Sequence, residues 1–300
     1  MLPQFPEFKS IEMEDREVIH NILRSYRPET SELSFTNLFI WRAHYKIQWS
    51  LHKDWLIAAC GVGGRNCFSL PPVGPAPRVE VTRLVLEWLK DEKGIFEPGI
   101  ERADQKLVDE IKGSGLFAIT ASRDHFDYLY LSENLARLSG NRYHGKKNHL
   151  NKFRKTYNWG YEPLSNDKIP DCLAVSELWC QARRCSEDLD LMDESAAVKS
   201  ILENSEALKV KGGLVLIDGR VEAFALGEML NPDTAVVHIE KANPEIPQLF
   251  VAVNQQFVEH EWQDVKFVNR EQDLGDEGLR QAKLSYHPER MVEKYKIQLA

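Results

Sequence analysis

The segment Gly213-Leu214-Val215-Leu216-Ile217-Asp218-Gly219 constrains this chain more than any other. An apolar run of strand length ending in Asp-Gly is a strong hairpin signal, because a two-residue type I′ turn needs positive φ at both central positions. A return strand is expected over 221–228, and Asn231-Pro232-Asp233 makes a second turn. Residues 234–240, rich in β-branched side chains, supply a third strand. An antiparallel meander follows. After Ala242-Asn243-Pro244 the period lengthens: Leu249, Val253 and Phe257 recur at the spacing of a helix packed on a sheet.

Other elements flank this core. A short strand is expected over 161–164, then helices over 172–184 and 195–209, with Ser195 as N-cap of the second. Beyond the meander and its helix come a strand over 265–269, a helix capped by Asp276, and a closing strand over 291–297. Helix, helix, meander, helix, strand, helix, strand is the order of the acyl-CoA N-acyltransferase (GNAT) fold. The N-terminal half follows it more loosely, with helices over 14–24 and 36–42 and strands over 45–51, 54–60 and 68–70. A helical stripe of Val81, Leu84, Val85, Trp88 and Leu89 and late strands over 116–120 and 126–131 complete it. The expectation is an α/β (α+β) chain of tandem duplicated GNAT-like lobes, each a mixed, mostly antiparallel sheet flanked by helices. The lobes are expected at 1–158 and 159–300. No residue-level repeat links the halves, so the duplication rests on element order.

Composition excludes several classes. Hydrophobic residues at 43% and charged residues at 28% describe a chain that buries a core. The first residues lack a basic and an apolar signal region, and no apolar run reaches the roughly 20 residues that span a bilayer. A cytoplasmic protein without integral membrane association is expected. The five cysteines (Cys60, Cys67, Cys172, Cys180, Cys185) match no zinc spacing and read as reduced thiols. The histidines show no metal-ligand spacing, so no metal site is assigned. Gly61-Val62-Gly63-Gly64 lacks the Lys-Ser/Thr of a phosphate loop and reads as a turn. A net charge of −8 argues against a generic nucleic-acid binder.

That charge is unevenly spread. From Asn134 to Tyr161 there is no acid, while Arg137, Arg142, Lys146, Lys147, Lys152, Arg154 and Lys155 supply seven fixed positive charges. A helix starting near Gly145 carries most of them, either as a site for phosphates of a donor such as tRNA or as a solvated basic face. His238 and Glu240 lie two apart on one expected strand and so share a face. Glu240 is the candidate general base, with His238 orienting it and burial raising the carboxyl's pKa; the alternative is a buried ion pair. Asn269-Arg270-Glu271 with Asp273 concentrates polar groups where a strand ends, the usual ligand position in open α/β sheets. Arg270, Arg280 and Lys283 are placed to hold a carboxylate or phosphate, or to tie the loop through Glu271, Asp273 and Glu277. Tyr286 is a candidate stacking or hydrogen-bonding partner there.

Five stretches resemble one family. They are Asn37-Leu38-Phe39-Ile40-Trp41, Asp127-Tyr128-Leu129-Tyr130, 145–153 (GKKNHLNKF), 238–243 (HIEKAN) and 269–280 (NREQDLGDEGLR), the last continuing through Lys283, Ser285, Tyr286 and Pro288. Together they are similar to bacterial proteins related to the C-terminal domain of phosphatidylglycerol lysyltransferase. The resemblance implies a tandem N-acyltransferase-like fold, shared with the Fem peptidyltransferases that use aminoacyl-tRNA. It ranks Lys146 and Lys147 first among the basic residues, because they fall in a matched stretch.

One departure bears on the donor. Related proteins carry a glycine-containing turn after the Glu-Lys-Ala-Asn stretch, where amides at a helix N-terminus hold the pyrophosphate of CoA. Here 244–250 reads PEIPQLF, without glycine, so no cofactor is assigned and CoA is disfavoured. An acyl- or aminoacyltransferase is expected, using aminoacyl-tRNA in preference to acetyl-CoA, with oxyanion stabilisation by strand-edge amides. Its acceptor is an amine or hydroxyl on a small molecule or peptide, since the attached transmembrane region of full lipid lysyltransferases has no counterpart in this sequence. The competing expectation is a non-catalytic anion-binding protein that keeps the fold.

Overall fold

The computed structural model describes residues 2–62, 64, 67–184 and 189–300. In chain order, the first elements are β1 (Lys9–Ser10), α1 (Arg16–Tyr26), α2 (Phe35–Ile40), β2 (Gln48–His52), β3 (Trp55–Cys60) and β4 (Phe68–Ser69). Next come α3 (Val79–Asp91), β5 (Ile100–Ala103), α4 (Gln105–Ile111) and β6 (Phe117–Ala121). The chain continues with β7 (Asp127–Leu131), α5 (Ser132–Arg137), α6 (His144–Thr156), β8 (Trp159–Pro163), α7 (Ile169–Arg183), α8 (Leu189–Glu203) and α9 (Ser205–Leu208). It ends with β9 (Lys211–Ile217), β10 (Arg220–Asn231), β11 (Thr234–Ala242), α10 (Leu249–Glu261), β12 (Phe267–Asn269), α11 (Glu277–Leu284), β13 (Arg290–Val292) and β14 (Tyr295–Leu299).

Two seven-stranded mixed sheets organise these elements, in the orders β1-β2-β3-β4-β5-β14-β6 and β13-β7-β12-β11-β10-β9-β8. Each has one parallel pair among its described registers, β4 with β5 and β11 with β12. This is the tandem GNAT-like arrangement expected from element order. The chain forms two compact units, one of 1–127, 272–275 and 291–300 and the other of 128–271 and 276–290. These bounds differ from the expected 158/159 division: β7, α5 and α6 belong with the second unit, and β14 with the first. The cause is strand pairing, since β7 joins β12 and β14 inserts between β5 and β6.

The first unit packs Val81, Val85, Leu86, Trp88 and Leu89 of α3 against Ile57, Ile100 and Ile297 of its sheet. The second is built on the meander. Asp218 and Gly219 have φ of 50° and 79°, and Ile217 pairs directly with Arg220, so the expected tight hairpin forms. α10 buries Leu249, Val253 and Phe257 as its period requires. Each such side chain contributes about 1.5–3 kcal/mol of transfer free energy.

Several expectations are corrected. Ser195 lies inside α8 and is not its N-cap, since the helix already covers Leu189–Glu203 among the described residues. The closing segment forms two strands in different sheets, with the buried charge of Lys294 between them. β5, α4 and α5 were not foreseen, being too short for a periodic signal. Cys60, Cys67 and Cys172 are free and buried, but Cys180 is disulfide-bonded, which the reading of five thiols did not anticipate. Cys185 and Gly63 lie outside the described residues. Asp276 does cap α11, its Oδ1 accepting from Leu279 N at 2.6 Å. Among the described residues no helix is long and apolar enough to cross a membrane, and no cluster of ligating side chains could hold a metal ion.

Candidate active site

The parallel pairing of β11 with β12 covers only Thr234↔Phe267 to Val236↔Asn269. Beyond it β11 pairs only with β10 and the segment after β12 only with Tyr128 of β7, and His238 and Glu240 on the one side and Arg270 and Glu271 on the other fall in the opening where β11 and β12 part. A bulge sits at its edge: Leu226 pairs with Ile239 and Gly227 with Val237, leaving His238 as the extra residue of β11. Gly227 is needed there, since a Cβ would collide with the carbonyl of Val236.

The bulge changes what His238 does. Its ring is 1% exposed, with Nδ1 2.8 Å from Glu271 Oε1 and Nε2 3.1 Å from Glu228 Oε1. Both nitrogens face carboxylates, so both must donate, and the ring is an imidazolium. Burial opposes that charge, but the two carboxylates outweigh it and raise the pKa to about 9. The expected orienting contact with Glu240 is not formed. An extra residue breaks the period-two alternation on which that expectation rested.

Glu240 is held from two directions. Arg270 Nη2 lies 3.2 Å from both of its carboxylate oxygens, and Asn254 Nδ2 on α10 donates to Oε2 at 3.1 Å. Lys241, next along β11, goes to the other face: it pairs with Glu194 at 2.7 Å and lies against the Trp179 ring. The Arg270 guanidinium sits 4.8 Å from the Tyr286 ring centre and 5.7 Å from that of Tyr130. Burial works against its charge, and Glu240 more than restores it. Burial also raises both tyrosine pKa values.

Lys146 enters from α6, its Nζ 4.0 Å above the Tyr286 ring. Burial first and Arg270 second lower its pKa to about 8, with Glu240 opposing. Among the described residues no hydrogen bond engages its Nζ. Arg270 Nη1 and Asn254 Oδ1 are buried without a partner. A buried polar atom left unpaired costs about 1–3 kcal/mol, so two such atoms beside one carboxylate, with the half-buried Lys146 ammonium near them, form an arrangement suited to a ligand.

The other anticipated residues divide. Asn269 is fully buried and accepts from Glu271 N at 2.8 Å, shaping the turn in which Glu271 has φ 54°. Lys283 donates to the Arg270 carbonyl. Arg280 pairs with Glu277 on its own helix at 3.9 Å. Asp273 belongs to the first compact unit, where it meets Arg123 at 3.2 Å. Lys147, Lys152 and Lys155 are exposed on α6 and form no ion pair among the described residues, whereas Arg154 donates to Gln255 at 3.1 Å. Glu228, Asn254 and Tyr130 were not anticipated. Asn254 had a signal: Asn254-Gln255-Gln256 is a run of amides between the apolar stretches 249–253 and 257–258 of α10, and all three are buried. Gln248, in place of the expected glycine, has φ 64°, the conformation a glycine adopts without strain.

Residues 23–298 match the family described as phosphatidylglycerol lysyltransferase, C-terminal. A conserved protein of unknown function from Bacteroides thetaiotaomicron is 32% identical, with all of each chain covered and a TM-score of 0.89. L-PGS from Bacillus licheniformis is 13% identical over 95% of this chain and 91% of that one, with a TM-score of 0.65. FemX is 9% identical over 97% and 96%, with a TM-score of 0.59. The last two identities speak for the fold alone. No curated protein matches the chain. With residues 23–298 matched by the family and a fully covered relative at 32% identity, this protein belongs to the phosphatidylglycerol lysyltransferase C-terminal domain family.

Proposed function

We propose that the protein transfers an aminoacyl group from its ester on tRNA to an amine or hydroxyl acceptor at the opening between β11 and β12. The observation that carries this reading is Glu240, a half-buried carboxylate with the uncommitted Arg270 Nη1 and Lys146 Nζ near it. Acyl transfer needs an acceptor for the nucleophile's proton and donors where the carbonyl oxygen gains charge. Glu240 serves the first need, and Arg270 with Lys146 the second. The exposed Lys147, Lys152 and Lys155 then meet phosphates of the donor. The family's name, a lysyltransferase, supports an aminoacyl donor over an acetyl one.

A non-catalytic anion-binding protein is the competing reading, favoured by the two-sided grip of Arg270 and Asn254 on Glu240. The two separate in one experiment. Purified protein is incubated with radiolabelled lysyl-tRNA and mixed aminoacyl-tRNA, with amine and hydroxyl acceptors. Acceptor-dependent transfer is expected, falling about 10²–10⁴-fold in Glu240→Gln. Binding of charged tRNA without transfer to any acceptor would favour the competitor, and full activity in Glu240→Gln would remove the assigned base.

A further inference from the structure

We infer that the acceptor is a primary amine, held through its N–H groups by Glu240 and Asn254, so that the product is an amide. This rests on the transferase reading and narrows it. Asn254 is 1% exposed, and its Nδ2 donates to Glu240 Oε2 at 3.1 Å. That bond fixes the amide's orientation, since the flipped form would set a carbonyl against a carboxylate. Oδ1 is therefore an acceptor, and it is buried without a partner. Because Oδ1 and Nδ2 share one carbon, the free acceptor lies one amide's width from the carboxylate.

Two hydrogen-bond acceptors side by side suit a group with at least two hydrogens to donate. An ammonium has three and an amine two; a hydroxyl has one and would leave an acceptor unfilled. The remaining uncommitted groups, Arg270 Nη1 and Lys146 Nζ, are donors and match the ester carbonyl oxygen instead. The chemistry balances with no further reactant. An alkylammonium bound here gives one proton to Glu240, and its nitrogen attacks the ester carbonyl carbon. A C–N bond forms and the C–O bond to the ribose breaks. The ribose oxygen leaves with the proton that Glu240 returns, and the second amine proton is lost to solvent as the amide forms.

The test uses the whole chain, labelled lysyl-tRNA and two acceptor sets. The amine set contains glycinamide, a short peptide with a free N-terminus, and phosphatidylethanolamine vesicles. The hydroxyl set contains glycerol and phosphatidylglycerol vesicles. Mild alkali hydrolyses an ester product and leaves an amide. Alkali-stable product from the amine set is expected. Asn254→Leu, close in volume, should raise the acceptor KM about 10- to 100-fold with the donor KM unchanged, as for loss of a hydrogen bond to a charged group. Asn254→Gln keeps both the amide donor for Glu240 and an acceptor oxygen and should stay within about tenfold of wild type, which covers the case in which the leucine variant fails to fold. Alkali-labile product from the hydroxyl set alone would overturn the inference and leave the transferase reading standing. An unchanged acceptor KM in Asn254→Leu would also overturn it, pointing to a buried water on Oδ1. Transfer to neither set would overturn both.

Discussion

Lys294 in the first compact unit and the half-buried Lys146 in the second are treated in opposite ways. In the first, Lys294 is fully buried, with Nζ 2.6 Å from both Glu32 and Asp127. Ser31 Oγ and Gln272 Oε1 lie within 3.4 and 3.3 Å, so this ammonium has at least as many partners as hydrogens. In the second, Lys146 meets, among the described residues, the face of Tyr286 and no hydrogen-bonding group, while the neighbouring Arg270 leaves one nitrogen and Asn254 its oxygen unpaired. A saturated network fixes a fold, because every desolvated charge has been compensated. An unsaturated one carries a standing cost that a ligand can remove. Burial of charge alone does not mark a site; the atoms left over do.

The largest expected effect tests the saturated side. Lys294→Met would leave Glu32 and Asp127 buried without their ammonium and should destabilise by about 3–5 kcal/mol, read by denaturant unfolding. A loss under about 1 kcal/mol would mean that water already reaches the cluster. Next is His238. Its pKa in the fold is raised from 6.5 to about 9, so its stabilisation is fully present below 6.5 and is lost as pH rises through 9. Stability should fall across that window by an amount on the order of 3 kcal/mol, and His238→Gln should flatten the dependence. Ring ¹⁵N shifts showing a neutral His238 at pH 7 would contradict the imidazolium. Smaller again, replacing Lys147, Lys152 and Lys155 with Gln should weaken donor binding and reduce its salt slope by about one per lysine. An unchanged slope would return that face of α6 to plain solvation. The smallest effect is the sharpest for the comparison. Lys146→Met should change stability by no more than about 1 kcal/mol, the scale of one cation–π contact, and a loss matching Lys294→Met would erase the distinction.

The fold was largely legible because its signals are local. Asp218-Gly219 fixes a turn, and Leu249, Val253 and Phe257 fix a helical face, without reference to distant residues. The site was legible only in part. Lys146, Glu240, Arg270 and Tyr286 could be nominated from matched stretches and polar density, and they do converge. The role of His238 was misread, since a bulge depends on how Gly227 and Val237 pair across strands and no single strand records that. Asp273 looked like part of the same loop as Arg270, yet it is bound to Arg123 in the first unit. Adjacency in sequence does not decide which unit a residue joins when the chain crosses between them. Asn254 was passed over because its helix reads as core, although a buried amide run on such a face is itself a sign of unmet polar need.

The central claim is that the uncommitted groups around Glu240 receive an aminoacyl ester. Its most direct test is calorimetric titration with a 3′-aminoacylamino-adenosine, an amide-linked and therefore unreactive mimic of a charged tRNA end. Binding by the wild type, weakened about 10- to 100-fold in Lys146→Met with the fold unchanged, is the predicted result. Equal affinity in the two proteins, or no binding by either, would contradict it.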